Sequence, residues 1–368
     1  MQFIDLNAQQ KRIRDKIETN IKKVLDHGKY IMGPEIKELE EKLAQYVGTR
    51  YAVGVASGTD ALLIPLMALD IGLGDAVFTT PFTFIATAEV IQLLGAAPVF
   101  VDAQPDTFNI DPVELEKVIR KTIDRGELKP RGVIPVDLFG QPADYDEINA
   151  IAKKYGLFVL QDAAQSFGAS YKGKKACANA DVGATSFFPA KPLGCYGDGG
   201  MIFTDDAELY KRLTSIRVHG SGADKYSNIR IGVNGRLDTI QAAVLLAKME
   251  IFAEEIDLRQ TVARRYEQGL KSPAKAPYVR DYNISAWAQY SILHPERDAV
   301  IARLSKQGIP TAIYYPTPLH LQEAFADLGY KKGDFPVSEE VADRVFSVPM
   351  HPYLSAEDQA KIIETIGS

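Results

Sequence analysis

The chain has 368 residues, a length that suggests about two domains. Its 42 Lys+Arg against 48 Asp+Glu give a net charge of −6, which speaks against a nucleic-acid binder with a clustered basic face. With 28 Gly, 20 Pro and 46% hydrophobic residues it is neither collagen-like nor low in complexity, and it can build a large core.

MQFIDLNAQQKRIRDKIETN has no long apolar run after its Met and does not read as a signal peptide. The longest strongly apolar patch, 61–69, is far short of a membrane span, so a soluble cytoplasmic protein is expected, with no membrane insertion. YAVGVA (51–56) is a strand signal and 58–69 a helix. A short strand at 77–80 precedes a helix over about 83–94, and APVFVD (97–102) is a further strand. Asp111-Pro112 opens a helix with an N-cap and a Pro at its first position. Strands at 132–136 and 157–161 bracket a helix at 145–154. Apolar strands alternating with helices point to an α/β fold with a parallel sheet covered on both faces. After residue 180 come two adjacent strands, 183–188 and 200–204, joined by the loop 189–199. A long helix follows at about 237–270, then strands at 286–293 and 311–315 and a closing helix from about Ser355. This divides the chain into an N-terminal arm and large domain (1–245) and a smaller C-terminal domain with the connecting helix (246–368).

Three segments carry residues suited to chemistry. In TSFFPAKPLGCYGDGG, Lys191 follows a strand and lies between Pro189 and Pro192, which restrict the backbone; apolar neighbours would desolvate its amine and lower its pKa. In LFVLQDAAQSFGA, Asp162 ends an apolar strand, so its carboxylate would sit at the carboxyl edge of the sheet, where it could keep a pyridinium nitrogen protonated. In ASGTDAL, Gly58 permits close approach of a ligand, and Ser57, Thr59 and the free N–H groups at a helix start can hold a phosphate, with Ser186 adding a hydroxyl. Taken singly, each has an ordinary explanation: a surface lysine, a turn-capping Asp, a helix cap. Their joint occurrence on an α/β scaffold points to pyridoxal 5'-phosphate (PLP). Cys177 and Cys195 lie outside any CxxC pair and read as reduced thiols. The five histidines show no metal-ligand spacing and read as mostly surface or interface residues, with His320 alone near the candidate substrate side.

At these residues the chain resembles the DegT/DnrJ/EryC/StrS family of PLP-dependent sugar aminotransferases. The likeness runs from FIDLNAQQ and HGKYIMGPEI through SGTDAL, PFTFIATAE, QDAAQSFGA and SFFPAKPLGCYGDGG to NGRLDTIQAA, YYPTPLHLQ and SVPMHPYL. It implies fold type I, as in aspartate aminotransferase, and a homodimer with shared active sites. By the same resemblance, Lys191 would link the cofactor and move protons, and Asp162 would pair with the pyridine nitrogen. Gln165 would contact the phenolic-oxygen side and Phe84 would stack on the ring. Gly58, Thr59 and Ser186 would hold the phosphate, with Asn234 reaching it from the partner subunit. The subfamily most resembled makes 3-amino sugars from UDP-2-acetamido-2-deoxy-3-keto-glucuronic acid, for bacterial surface polysaccharide (O-antigen), with L-glutamate as donor. Its substrate side implies Gly28, Tyr30, Arg236, Tyr314 and Tyr315. Arg236 would be the bidentate partner of the uronate carboxylate, against the plainer reading of an ion pair with Asp238 or another acid. The chain departs from that subfamily at Tyr314, where a His is expected, and at Ala190, where a Ser is expected. Rival readings are an aminotransferase for a dTDP- or UDP-linked 3- or 4-keto-6-deoxy sugar, a regulatory or sugar-binding protein, and a nicotinamide dehydrogenase. The last lacks a GxGxxG after its early strands.

Overall fold

The computed structural model describes every residue except Lys225. Two helices come first, α1 (Leu6–His27) and α2 (Pro34–Val47). The Asp5 carboxylate caps α1 by accepting the Ala8 N–H at 2.9 Å, and α2 begins on its proline. α1 buries Gln9, Ile17, Asn20 and Val24, and its Ile13–Ile17–Ile21 stripe, set in an otherwise charged segment, packs on Val244 and Ala247 of the helix that follows Asp238.

The alternation then begins: β1 (Tyr51–Val55), α3 (Gly58–Ala68), β2 (Asp75–Thr79), α4 (Ala86–Leu93), β3 (Ala97–Phe100), α5 (Pro112–Arg125), β4 (Lys129–Val133), α6 (Tyr145–Tyr155) and β5 (Phe158–Asp162). The expected cap on α5 is present. Asp111 accepts from the N–H groups of Val113 and Glu114 at 2.7 and 3.3 Å, worth about 1 kcal/mol. A small hairpin, β6 (Ser170–Tyr171) and β7 (Lys174–Lys175), precedes β8 (Val182–Ser186), β9 (Gly200–Thr204) and α7 (Ala207–Ile216). Seven of these strands form one sheet in the order β1-β9-β8-β5-β4-β2-β3. β9 is antiparallel to both its neighbours, and the other six strands run in one direction. β2, β8 and β9 are buried along their whole length, as strands covered on both faces must be. The strand expected at 132–136 lies three residues earlier. Pro135 has no N–H to give, and the ladder starts where Lys129 N bonds to Gly74 O.

The 31-residue helix α8 (Thr239–Gly269) joins this sheet to the C-terminal portion. Ala242, Leu245, Leu246, Phe252 and Ile256 pack in the core that holds Phe187, Leu193 and Phe203. Val262, Ala263 and Tyr266 pack in a different core with Tyr290, Ile292, Phe346 and Val348. Beyond α8 come β10 (Asn283–Ile284), which pairs with β6, then β11 (Tyr290–Leu293), α9 (Arg297–Lys306), α10 (Pro336–Arg344), β12 (Val345–Val348) and α11 (Ala356–Gly367). β11 and β12 form an antiparallel pair. The strand expected at 286–293 is confined to its second half, because Trp287 has φ +49° and Ala286 N turns back to bond Gly140 O. No strand forms at 311–315 either. Pro310 and Pro316 bracket the segment, and only Ala312 bridges to Ser347. Among the described residues no helix is long and apolar enough to cross a membrane.

Candidate active site

Because six strands point the same way, their carboxyl ends share one edge, where open α/β sheets bind ligands. β1 runs out through Ser57 into α3. The Ser57 hydroxyl takes the Asp60 N–H at 3.0 Å, and the Gly58 and Thr59 N–H groups, in the first turn, have no intrahelical acceptor. At the end of β8 stands Ser186. A Cβ on Gly58 would lie 2.6 Å from the Ser186 Cβ, so the two expected phosphate residues are in contact and only glycine fits between them. Asp162 closes β5, buried at 5% exposure, and accepts from Thr87 Oγ1 at 2.8 Å and from Ala164 N at 3.1 Å. Gln165, also buried, accepts from Phe139 N at 2.6 Å and donates through Nε2 to the Tyr315 hydroxyl at 3.0 Å. Phe84 follows β2 and lies with its ring 6.2 Å from that of Tyr315, tilted 38° and exposed. Tyr314 packs its ring 5.8 Å from Tyr315 and 6.4 Å from Phe3 at the N-terminus.

Lys191 projects from a loop that folds tightly on itself. Its N–H bonds Phe188 O at 2.8 Å, and Cys195 N bonds Phe187 O at 2.8 Å. A Cβ on Gly194 would meet Pro189 O at 2.5 Å, so no side chain fits there. α8 grips this loop from behind. Gln241 accepts from Tyr196 N at 2.8 Å, and the buried Lys248 donates to Gly194 O at 2.6 Å while its ammonium lies 4.4 Å from the Tyr196 ring centroid. Burial lowers the pKa of Lys191, as the sequence predicts, while the charge of Asp162 opposes the shift. Burial likewise raises Asp162, opposed by Thr87, by Ala164 N and by Lys191. Each of the pair thus holds the other toward its charged form.

The remaining residues form a second group. Gly28 ends α1 in the left-handed conformation (φ 69°), and Tyr30, exposed, accepts at its carbonyl from Thr239 N at 3.0 Å. Residues 30–33 therefore run beside the start of α8, next to the segment that carries Asn234 and Arg236. The Arg236 guanidinium donates to the Asn234 side-chain oxygen through Nε at 3.0 Å and through Nη2 at 2.6 Å. No ion pair of Arg236 with Asp238 or another acid occurs among the described residues, contrary to the plainer reading of this arginine. A Cβ on Gly235 would come within 3.5 Å of Asp60 Oδ2, so this segment passes the first turn of α3. No hydrogen bond or ring contact among the described residues joins this group to Lys191 or to Tyr314.

His27 and His219 are exposed, but His294, His320 and His351 are buried, so the surface reading fails for three of the five histidines. His320 is held by Glu339 at 3.0 Å. Both cysteines are free and buried. Sequence reasoning does not pick out Thr87, Gln241 or Lys248, because each acts through long-range contacts and belongs to no local pattern.

A glycine–serine contact beneath a helix start, a buried carboxylate and a partly desolvated amine match the phosphate, ring nitrogen and aldehyde of PLP in chemistry. Fold and site together define a PLP-dependent aminotransferase of fold type I. Residues 11–367 match the model of the DegT/DnrJ/EryC1/StrS aminotransferase family, and the chain belongs to that family. It is 53% identical, over 96% of both chains, to UDP-2-acetamido-2-deoxy-3-oxo-D-glucuronate aminotransferase of Pseudomonas aeruginosa. A DegT/DnrJ/EryC1/StrS aminotransferase from Brucella abortus is 52% identical and superposes with a TM-score of 0.97 over 100% of this chain and 98% of that one. NtdA of Bacillus subtilis, solved with bound PMP, is 28% identical with a TM-score of 0.88 over 99% of this chain and 82% of that one.

Proposed function

We propose that this enzyme transfers an amino group from L-glutamate to C3 of UDP-2-acetamido-2-deoxy-3-keto-glucuronic acid, giving a UDP-2-acetamido-3-amino sugar acid for bacterial surface polysaccharide. The observation that carries the substrate is the 53% identity over 96% of the chain to an enzyme named for that ketosugar. Arg236 supports it, being a half-buried guanidinium without a carboxylate of its own among the described residues. A uronate supplies one, and a 6-deoxy sugar does not.

PLP, when bound, supplies a protonated pyridine ring that acts as electron sink and carries the amino group between the two half-reactions. The positions of the chain's own residues support the following roles. The Gly58 and Thr59 N–H groups and the Ser186 hydroxyl bind the phosphate, helped by the α3 dipole. Asp162 keeps the proton on the ring nitrogen. Gln165, fixed between Phe139 N and Tyr315, borders the phenolic-oxygen side, and Phe84 covers a ring face. The Lys191 amine, with its lowered pKa, takes the proton from the donor carbon and returns one at C3 of the sugar. Tyr314 and Tyr315 border the sugar. Gly28, Tyr30 and Arg236 would meet the nucleotide sugar, and Asn234 would reach the phosphate of a second copy. The exposed apolar side chains Tyr30, Ile31, Met32, Phe84 and Phe188 support such a homodimer, since that much apolar surface calls for a cover. A cytoplasmic location suits the free thiols of Cys177 and Cys195.

Purified protein loaded with PLP should show a visible absorbance band that borohydride fixes to Lys191. L-Glutamate should bleach it, and the 3-keto uronate should restore it faster than a 3- or 4-keto-6-deoxy sugar. Equal or faster restoration by the 6-deoxy sugar overturns the substrate, and a band unchanged in Lys191→Ala overturns the role of the lysine.

A further inference from the structure

We propose that Asp137, on the loop after β4, is a positioning residue for the cofactor-facing turn Asp162–Gln165. Its carboxylate is fully buried and sits behind that turn. One oxygen, Oδ2, accepts from Gln161 Nε2 at 2.7 Å and from Ser166 Oγ at 2.6 Å. These two donors are the residues immediately before Asp162 and immediately after Gln165. A single buried oxygen thus ties both ends of the turn together. The other oxygen, Oδ1, accepts from Ala143 N at 3.0 Å and from the Tyr145 hydroxyl at 2.7 Å, which fixes the carboxylate to the start of α6. The backbone repeats the connection: Asp137 N donates to Asp162 O at 3.0 Å, and two residues on, Phe139 N donates to Gln165 Oε1 at 2.6 Å.

Four donors around one carboxylate satisfy it well enough to tolerate burial, although burial still pushes its pKa up to about 6. The arrangement is specific to a group that only accepts. Asparagine has the same shape but turns one oxygen into an N–H donor. Placed toward the turn, that donor meets the Gln161 amide, whose own oxygen already accepts from Asn179 N at 3.2 Å. Placed the other way, it meets the Ala143 N–H, which cannot rotate. The substitution Asp137→Asn, in either orientation of the new amide, would leave one fixed N–H facing another, and the turn would shift to relieve it. Asp162 and Gln165 would shift with it, because they have no slack between their flanking residues.

The inference rests on the roles of Asp162 and Lys191 proposed above; the wild-type band fixed to Lys191 tests the lysine separately, and Asp162→Asn in single-turnover assays tests the carboxylate. The experiment compares wild type, Asp137→Asn and Ser166→Ala, the last removing only one of the four bonds. PLP affinity is measured by titrating apoprotein. The pH midpoint of the visible band of the loaded protein is recorded, and kcat and KM are determined. Asp137→Asn should weaken PLP binding about tenfold or more and move the midpoint by about half a pH unit or more. It should lower kcat more than it raises either KM, and Ser166→Ala should follow in the same direction with smaller shifts. If Asp137→Asn folds and keeps the wild-type PLP affinity and midpoint, the proposal is wrong. If Asp137→Asn does not fold, Ser166→Ala decides: unchanged affinity and midpoint overturn the proposal, and shifts in both support it.

Discussion

The two groups of site residues differ in how they are held. Around Asp162 and Gln165 the side-chain polar atoms have partners within the same chain, and the backbone of the Lys191 loop is fastened from α8. Around Tyr30, Asn234 and Arg236, side chains are exposed or half-buried, and the strongest contact of Arg236 is to an uncharged amide two residues away. The first group is preorganised before any ligand arrives, as chemistry requires. The second keeps donors and apolar surface open, which suits residues that meet a variable sugar and a second subunit. On the roles proposed above, reaction type and substrate choice would be carried by different mechanical environments.

That contrast can be broken most severely at Lys191. Lys191→Ala should lower turnover by about 10²–10⁴-fold, the range for losing a general acid–base, with the borohydride-fixed label gone and the fold intact by circular dichroism. Asp162→Asn should follow, with a loss on the order of 10²-fold in both half-reactions in single-turnover assays, since it removes charge stabilisation common to both. Arg236→Ala should separate the two groups. If the uronate carboxylate is its partner, kcat/KM for the 3-keto uronate should fall by about 10–100-fold, from the roughly 1.5–3 kcal/mol of a charged hydrogen bond. The glutamate half-reaction should be unchanged, as should the rate with a 6-deoxy ketosugar; equal losses for both sugars would erase the distinction.

The smallest effect concerns stability. Burial lowers the Lys248 pKa to about 8 from 10.5. A depressed lysine pKa means that the folded state binds fewer protons than the unfolded one between these values. The stability penalty is thus fully present below about pH 8 and fades as pH rises toward 10.5. Wild type should gain on Lys248→Met in unfolding free energy as pH rises, by roughly 2–3 kcal/mol between about pH 7 and pH 10. A difference between the two proteins that does not change with pH would show that Lys248 is not desolvated as described.

The tightly held group is also the one legible in the sequence. Asp162 and Ser186 end buried strands, Gly58 starts a helix, and Lys191, Asp162 and Gly58 lie in short contiguous motifs whose residue types match one cofactor. Asp137 is not legible, because its importance comes from Gln161, Ser166, Ala143 and Tyr145 converging on it, and no spacing rule encodes four such bonds. The same holds for the buried histidines: the ring of His320 packs 4.7 Å from that of Phe335, a neighbour set by the fold. The prolines around 311–315 are visible, but the β-rich composition between them hides what they do to a ladder. In the fold, the alternating strands and the caps at Asp111 and Ser355 are readable, whereas α1 is announced only by the Ile13, Ile17 and Ile21 stripe that packs along α8, set among charged residues that mask it.

The helix α8 has a consequence for how such proteins can be recombined. Residues 242–256 on it complement one core, residues 262–266 complement the other, and Gln241 and Lys248 fasten the lysine loop. A chimera that joins the sheet of one relative to the C-terminal portion of another must choose which core loses its native helix face. A seam after Gly269 carries the lysine-loop fasteners with their own sheet and exposes the Val262–Tyr266 face, with Glu255, Arg259 and Gln260, to a foreign partner. A seam before Thr239 does the reverse and gives the lysine loop a stranger's backing. Grafted substrate specificity should therefore survive the first junction far better than the second.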